Sequence, residues 1–444
     1  MHRGNRYRAP AWAVVMAERC PLFAPGSLIG ALPKRATPPN LVPMPARRPD
    51  ILWIVTTQWR GQACGFAGDP NARTPALDAF ARHAVVFAQA VSNHPFGPFA
   101  RALLLTGRLS PANGVADYWD PLPRNSDTIA RRLAAAGYVT AFFGKWHLAP
   151  RDPSAALVGD THARQVVAPE DRGGFELWEG FESGFQLNDP WLHGTHLPQP
   201  VQFPGYQSDV LCARAAAHLR GGSERPRFTY VSLEAPHPPY AAPVPADIAA
   251  PDPAALLLAP NVPRGGAVEA EARRELAGYY RHIEATDRAI GALLAAVDLT
   301  TTAVFITSAH GDMHGAHGLF RKGWPHEESI RVPLVASWPG SMPGGTDAPV
   351  ALADLPATAL ALAGVPAPAA WTGCDLRSCA TGDDRRIPVS MPSAPPFPKQ
   401  CPRAWVGFRS RTEKRITLPD GRPWLHFDLT TDPGEQRNLA MPPP

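Results

Sequence analysis

A chain of 444 residues, 45% of them hydrophobic, with a net charge of +4, has the make-up of a globular protein long enough for one large α/β domain plus an appendage. Its basic residues are scattered beyond the amino-terminal arm, which argues against a nucleic-acid-binding surface. Six cysteines without zinc-like pairing are too sparse for a disulfide framework and are expected to be mostly small buried hydrophobes.

Residues 1–48 are rich in Arg, Pro and Ala and hold one acidic residue, Glu18. The apolar run 11–17 is broken by Glu18 and Arg19, too early for a secretory segment and far too short to span a bilayer. The arm therefore reads as a disordered extension, with a transit peptide as the alternative, and a cytoplasmic location is expected. Residues 51–57 then form an unbroken apolar and β-branched run, as in a strand buried on both faces. Segments 138–143, 227–233 and 302–308 have the same character. Between these strands lie helical patterns over 74–84, 127–136, 208–219 and 269–297. Strands alternating with amphipathic helices predict a doubly wound α/β sandwich, in which ligands gather at the carboxyl ends of the strands. Polar motifs follow four of them: Thr57-Gln58, Gly144-Lys145-Trp146-His147, Pro236-His237 and Ala309-His310. From about residue 386 the pattern shortens to 405–409, 415–418 and 424–429, separated by turns, which suggests a small antiparallel sheet with a packed helix. The expected organisation is an arm over 1–48, an α/β core over 49–385 and a carboxy-terminal subdomain over 386–444.

Seven segments occur in an order that resembles the type I sulfatases of the alkaline phosphatase superfamily. They are DILWIVTTQWRG at 50–61, TPALDAFARHAVVFAQAV at 74–91, PFGPFARALLLTGR at 95–108, TIARRLAAAGYVTAFFGKWHL at 128–148, EAPHPPY at 234–240, SAHGDMHGAHGLFRKGWPHEESIRVPLV at 308–335 and HFDLTTDPGEQRNLA at 426–440. The resemblance implies an alkaline-phosphatase-like sheet sandwiched by helices, with a small antiparallel α+β subdomain at the carboxyl end. In that family the signature is C-x-P-S-R followed by A-x-L-L-T-G-R, and its oxidised cysteine, formylglycine, attacks sulfur. Anchored on Arg101 and the run Leu104 to Arg108, the signature places Gly97 where that cysteine stands.

The family's divalent cation positions fall on Thr57, Gln58, Gly97, Ala309 and His310, and both anchoring aspartates are missing. Calcium takes about six to eight hard oxygen ligands. One nearby carboxylate, Asp312, does not make such a site and reads as a turn or supporting residue. The anion-binding positions survive by contrast: Arg101, Lys145, His147, His237 and Lys322. Loss of a 2+ ion together with two carboxylates leaves the local charge nearly unchanged, whereas loss of the ion alone would strand buried carboxylates.

The resulting expectation is a sulfatase-like protein without sulfatase activity, with no cofactor and a metal-free basic pocket. Its partner would be an anionic small molecule, such as a sulfated metabolite. The alternative is a lyase, cyclase or transferase reusing the pocket with His147, His237 or His310 as acid or base. His310, His314 and His317 could instead hold a transition metal, although their spacing falls in a Gly-rich loop. No G-x-S-x-G elbow, G-x-G-x-x-G or phosphate loop follows a strand, so a serine hydrolase or nucleotide enzyme is not indicated. The oligomeric state is left open by the sequence.

Overall fold

The computed structural model describes residues 48–440 except Pro396. All of the amino-terminal arm but Arg48 lies outside the described residues. At the centre stands β1, Asp50–Thr56, buried from Ile51 onward. Its alternation divides the two sides of the molecule. Ile51, Trp53 and Val55 join one apolar core, whereas Leu52 and Ile54 join another, so the strand is apolar throughout because both faces are covered.

Parallel neighbours flank β1: β7 (Arg227–Ser232), with Ile51 opposite Phe228, and β8 (Thr302–Ser308), with Asp50 opposite Thr302. β7 is followed outward by β3 (Val139–Lys145) and β4 (Leu177–Phe181), still parallel. The remaining strands are β2 (Val85–Val91), β5 (Trp191–Gly194), β6 (Val201–Gln202), β9 (Leu334–Ser337) and β10 (Gly344–Ala351). They complete a ten-stranded sheet of order β10-β2-β9-β8-β1-β7-β3-β4-β5-β6. The sheet is mixed, since β9 joins β8 and β2 antiparallel, and β5 joins β4 and β6 antiparallel.

Helices Gly97–Thr106, Ile129–Ala135 and Asp354–Leu362 bury Leu103, Leu133 and Leu360 against the Trp53 face. Helices Pro75–Ala81, Gln207–Arg220 and Ala267–Leu294 bury Leu77, Leu211 and Ile283 against the Leu52 face. Pro75 opens its helix at the position where a missing N–H costs nothing. No helix among the described residues is long and apolar enough to cross a membrane.

A separate antiparallel sheet follows, built of β11 (Ile387–Met391), β12 (Trp405–Arg409), β13 (Glu413–Thr417) and β14 (Pro423–Asp428). Among the described residues no helix lies within this segment. Its Val389, Trp405, Ile416 and Phe427 join the Trp53-side core directly, so the main domain closes the face that a helix was expected to cover.

Candidate functional site

The polar residues after β1, β3, β7 and β8 meet one another and the start of helix Gly97–Thr106. Beyond β1 the chain turns through Thr57 and Gln58, and Gln58 takes a left-handed backbone at φ 71°. His147, beyond β3, does likewise at φ 61°. Such conformations are uncommon for residues with a Cβ and persist where surroundings impose them.

Thr57 Oγ1 donates to Leu233 O at 2.8 Å and accepts from Arg101 Nη2 at 2.7 Å. Gly97 lies one turn before Arg101. A Cβ at residue 97 would stand 3.1 Å from both Arg101 Nη1 and His147 Nδ1, so these two groups bound the place of the family's nucleophile. His147 Nδ1 is buried without a hydrogen-bond partner, and Nε2 lies 3.3 Å from Tyr118 Oη. Ala309 is buried and adds only a methyl group.

Lys145 Nζ donates to Glu234 Oε1 at 2.8 Å, with the two side chains 1% and 0% exposed. Lys322 Nζ donates to Gln58 Oε1 and to His237 Nε2, each at 2.7 Å. An ammonium has no lone pair, so His237 Nε2 accepts and Nδ1–H donates to Pro238 O at 2.7 Å. His310 places Nδ1 2.9 Å from Gly311 O and leaves a buried Nε2 without a partner. Asp312 accepts from Gln58 Nε2, Tyr240 Oη, His314 N and Arg321 N. Burial alone would raise its pKa, but His314, Arg321 and these hydrogen bonds hold the carboxyl well below the usual range.

The structure thus gathers Thr57, Gln58, Gly97, Arg101, Lys145, His147, His237 and Lys322, with His310 electrostatically coupled to His237 and Lys322. The histidines 310, 314 and 317 do not converge. His314 packs on Tyr279 at 4.3 Å, and His317 on His326 at 4.4 Å.

Burial sets the protonation states. It pushes the Lys145 ammonium down to about 8, with Glu234 pulling the other way. His147 is held well below its ordinary value by burial and then by Arg151, Lys145, Arg101 and Lys322, so its ring is neutral at neutral pH. Lys322 is also lowered, by burial and then by Lys145.

The donor set does not fit the family's calcium. Gln58 Oε1 is engaged by Lys322, the Thr57 hydroxyl by Arg101 and Leu233 O, and Ala309 offers no ligand atom. An ammonium, not a ring of hard oxygens, faces Gln58.

Sequence reasoning did not single out Glu234, Phe185 or the buried pair Arg151–Glu182. Glu234 carried a signal, an acidic residue directly after an apolar strand. Phe185 carried none. Its ring stacks on His237 at 4.7 Å and lies 4.4 Å from Lys145 Nζ, so it walls the site.

Comparison with known proteins agrees with this frame. A family model described as Sulfatase matches residues 49–365, and one described as N-sulphoglucosamine sulphohydrolase, C-terminal, matches 315–443. An ulvan-active sulfatase from Formosa agariphila is 34% identical over 413 residues, covering 89% of this chain and 78% of that protein. A choline-sulfatase from Rhizobium meliloti is 27% identical over 439 residues, covering 90% and 84%. A solved structure bound to its substrate D-glucosamine-2-N,6-O-disulfate superimposes with a TM-score of 0.72 at 20% identity, covering 88% and 93%, and shares the fold. The ulvan-active and choline relatives, both sulfatases that match along most of the chain, overturn the expectation of a protein without sulfatase activity, and with it the lyase, cyclase or transferase alternative. With matches across both the sheet and the carboxy-terminal segment, the chain belongs to the sulfatase family.

Proposed function

We propose that the protein hydrolyses a sulfate monoester of a carbohydrate, with water as the nucleophile. The observation that carries this is the set of buried cationic and imidazole groups beside Gly97, where His147 Nδ1 lacks a partner. A carbohydrate substrate is supported by the ulvan-active relative. The reaction is R–O–SO3⁻ + H2O → R–OH + HSO4⁻. Lys145, Lys322 and Arg101 hold the sulfate oxygens, replacing part of their present contacts with Glu234, Gln58 and Thr57. Water stands in the space that residue 97 leaves, and its oxygen bonds to sulfur as the S–O ester bond breaks. His147 Nδ1 takes the water proton. Lys322, an ammonium with a lowered pKa, gives a proton to the leaving oxygen. No step draws on calcium, for which the donors are unsuited. Phe185 lines the site beside Lys145 and His237, where a sugar ring would meet it.

The test is sulfate release from ulvan oligosaccharides and from p-nitrophenyl sulfate, followed by ion chromatography. Release is expected to be equal whether or not the expression host oxidises sulfatase cysteines, because residue 97 has no side chain to oxidise. No release from either substrate, with folded protein, would sink the proposal.

Two further outcomes follow from the same geometry. Gly97→Ala puts a methyl group into the water's place against Arg101 and His147, and kcat/KM is expected to fall about 100-fold with little change in melting temperature. Undiminished turnover would place the nucleophile elsewhere. The pH profile is the second outcome. The sulfate grip needs ammonium groups, and deprotonation removes it as pH rises, so kcat/KM is expected to decline above about pH 8, where Lys145 titrates. A plateau reaching well beyond pH 9 would remove Lys145 from the grip.

A further inference from the structure

Three chain segments bring together an imidazole and two carboxylates that the proposed hydrolysis does not use. His317 sits in the loop at φ 55°, Glu328 lies on the short helix Glu327–Ile330, and Glu435 belongs to the carboxy-terminal tail at φ 53°. One ligand atom from each lies within 4.8 Å of the others, and this is the one group of three or more such residues among the described residues. Both glutamates are buried, at 7% and 3% exposure.

The polar bookkeeping around this group does not close. Asn261 Nδ2 has two hydrogens but faces three acceptors: Glu328 Oε1 at 2.8 Å, His317 Nε2 at 3.0 Å and Gly434 O at 3.1 Å. Its own Oδ1 is buried without a partner, and so is Glu328 Oε2. Among the described residues Glu328 has no ion pair within 4.0 Å, and Arg331, three residues on, turns Nε to Ala88 O. The neighbouring cations are committed elsewhere. Arg409 pairs with Glu327, and Lys414 is shared between Glu327 and Glu435. Arg409 and Lys414 are thus already paired, and acceptors converge on a point that an amide nitrogen fills incompletely. Unpartnered buried oxygens of this kind are rare and costly.

We propose that His317, Glu328 and Glu435 hold a divalent transition metal of the zinc class, which pins the Gly-rich loop to the carboxy-terminal tail. One imidazole nitrogen and two carboxylate oxygens suit zinc, and the fourth position falls to water or to Asn261 Oδ1 after an amide flip. Zinc–ligand bonds of about 2.0–2.2 Å require the three donors to close in by roughly 1 Å, within reach of small side-chain rotations. Glu435 can ligate and keep Lys414 because each carboxylate oxygen has two lone pairs.

The full chain, treated with chelator and dialysed, is titrated with Zn²⁺ by calorimetry, with metal content counted by mass spectrometry and melting temperature recorded. One Zn²⁺ per chain and a higher melting temperature are expected. His317→Ala and Glu328→Gln are each expected to weaken binding about 100-fold, while His310→Ala, at the sulfate site, leaves it unchanged. Circular dichroism checks that the variants fold, and half-buried His317 is the safer substitution. Absence of saturable Zn²⁺ binding in the wild type overturns the site. So does binding that survives both triad variants, or binding lost in His310→Ala instead.

Discussion

Lys145→Met is expected to lower kcat/KM by at least about 100-fold and to destabilise the fold by about 3–5 kcal/mol. The stability loss arises because Glu234, fully buried, loses the ammonium that stands 2.8 Å from it. A near-isosteric methionine fills the space, so a cavity contributes little, and what remains is an uncompensated carboxylate. The pair is separated from its function by the double variant Lys145→Met/Glu234→Gln. Removing both charges is expected to restore most of the stability, since a buried ion pair often contributes little over neutral groups. Activity is expected to stay low, because the ammonium that holds the sulfate is still missing. Urea unfolding of the two singles and the double, with sulfate release measured on each, completes the cycle. A single-variant loss below about 1 kcal/mol would show that Glu234 finds another partner, with His237 Nδ1 at 3.5 Å the obvious one.

The carboxy-terminal sheet depends on an equally buried lysine. Lys414, on β13, is 0% exposed, pairs with Glu327 Oε1 at 2.8 Å and with Glu435, and donates to Pro325 O at 3.0 Å. Lys414→Met leaves two buried carboxylates near each other and an unsatisfied carbonyl, and a loss of about 3–5 kcal/mol is expected. Against a total stability of about 5–15 kcal/mol this is a large share. The damage should be local first. Limited proteolysis is expected to cut the segment after β14 sooner in the variant than in the wild type, since Glu435 is one of the tail's anchors. Equal cutting rates together with an unchanged urea midpoint would remove Lys414 from that role.

The main correction concerns activity. Absence of a side chain at residue 97 and of carboxylates at 57 and 309 pointed to a protein without sulfatase activity, yet sulfatases match along most of the chain. Sequence reasoning equated the joint loss of the nucleophile and of the metal's anchoring carboxylates with the loss of the reaction. In the folded protein Arg101 Nη1 and His147 Nδ1 each stand 3.1 Å from where a side chain at residue 97 would begin, and it is beside these groups that we propose water acts as the nucleophile. The basic groups also proved to be paired rather than free: Lys145 meets Glu234, and Lys322 meets Gln58 and His237.

The apolar runs and helical periods by themselves determined the strands near 51–57, 138–143, 227–233 and 302–308, the helices between them, and the placement of polar motifs at strand ends. These features are local, because a run's pattern records which of its faces are covered by neighbours. The antiparallel entry of β9 and β5 into the sheet was not legible, since strand order depends on which edges meet in space. The same holds for the site's finer chemistry. Lys145 and Glu234 are 89 positions apart, and Gln58 and Lys322 are 264 apart. Only the tertiary structure decided that Phe185 stacks on His237 beside Lys145 and that His317, Glu328 and Glu435 face one another. Partnership between distant side chains is set by how covered faces stack, and no local pattern of residues encodes it.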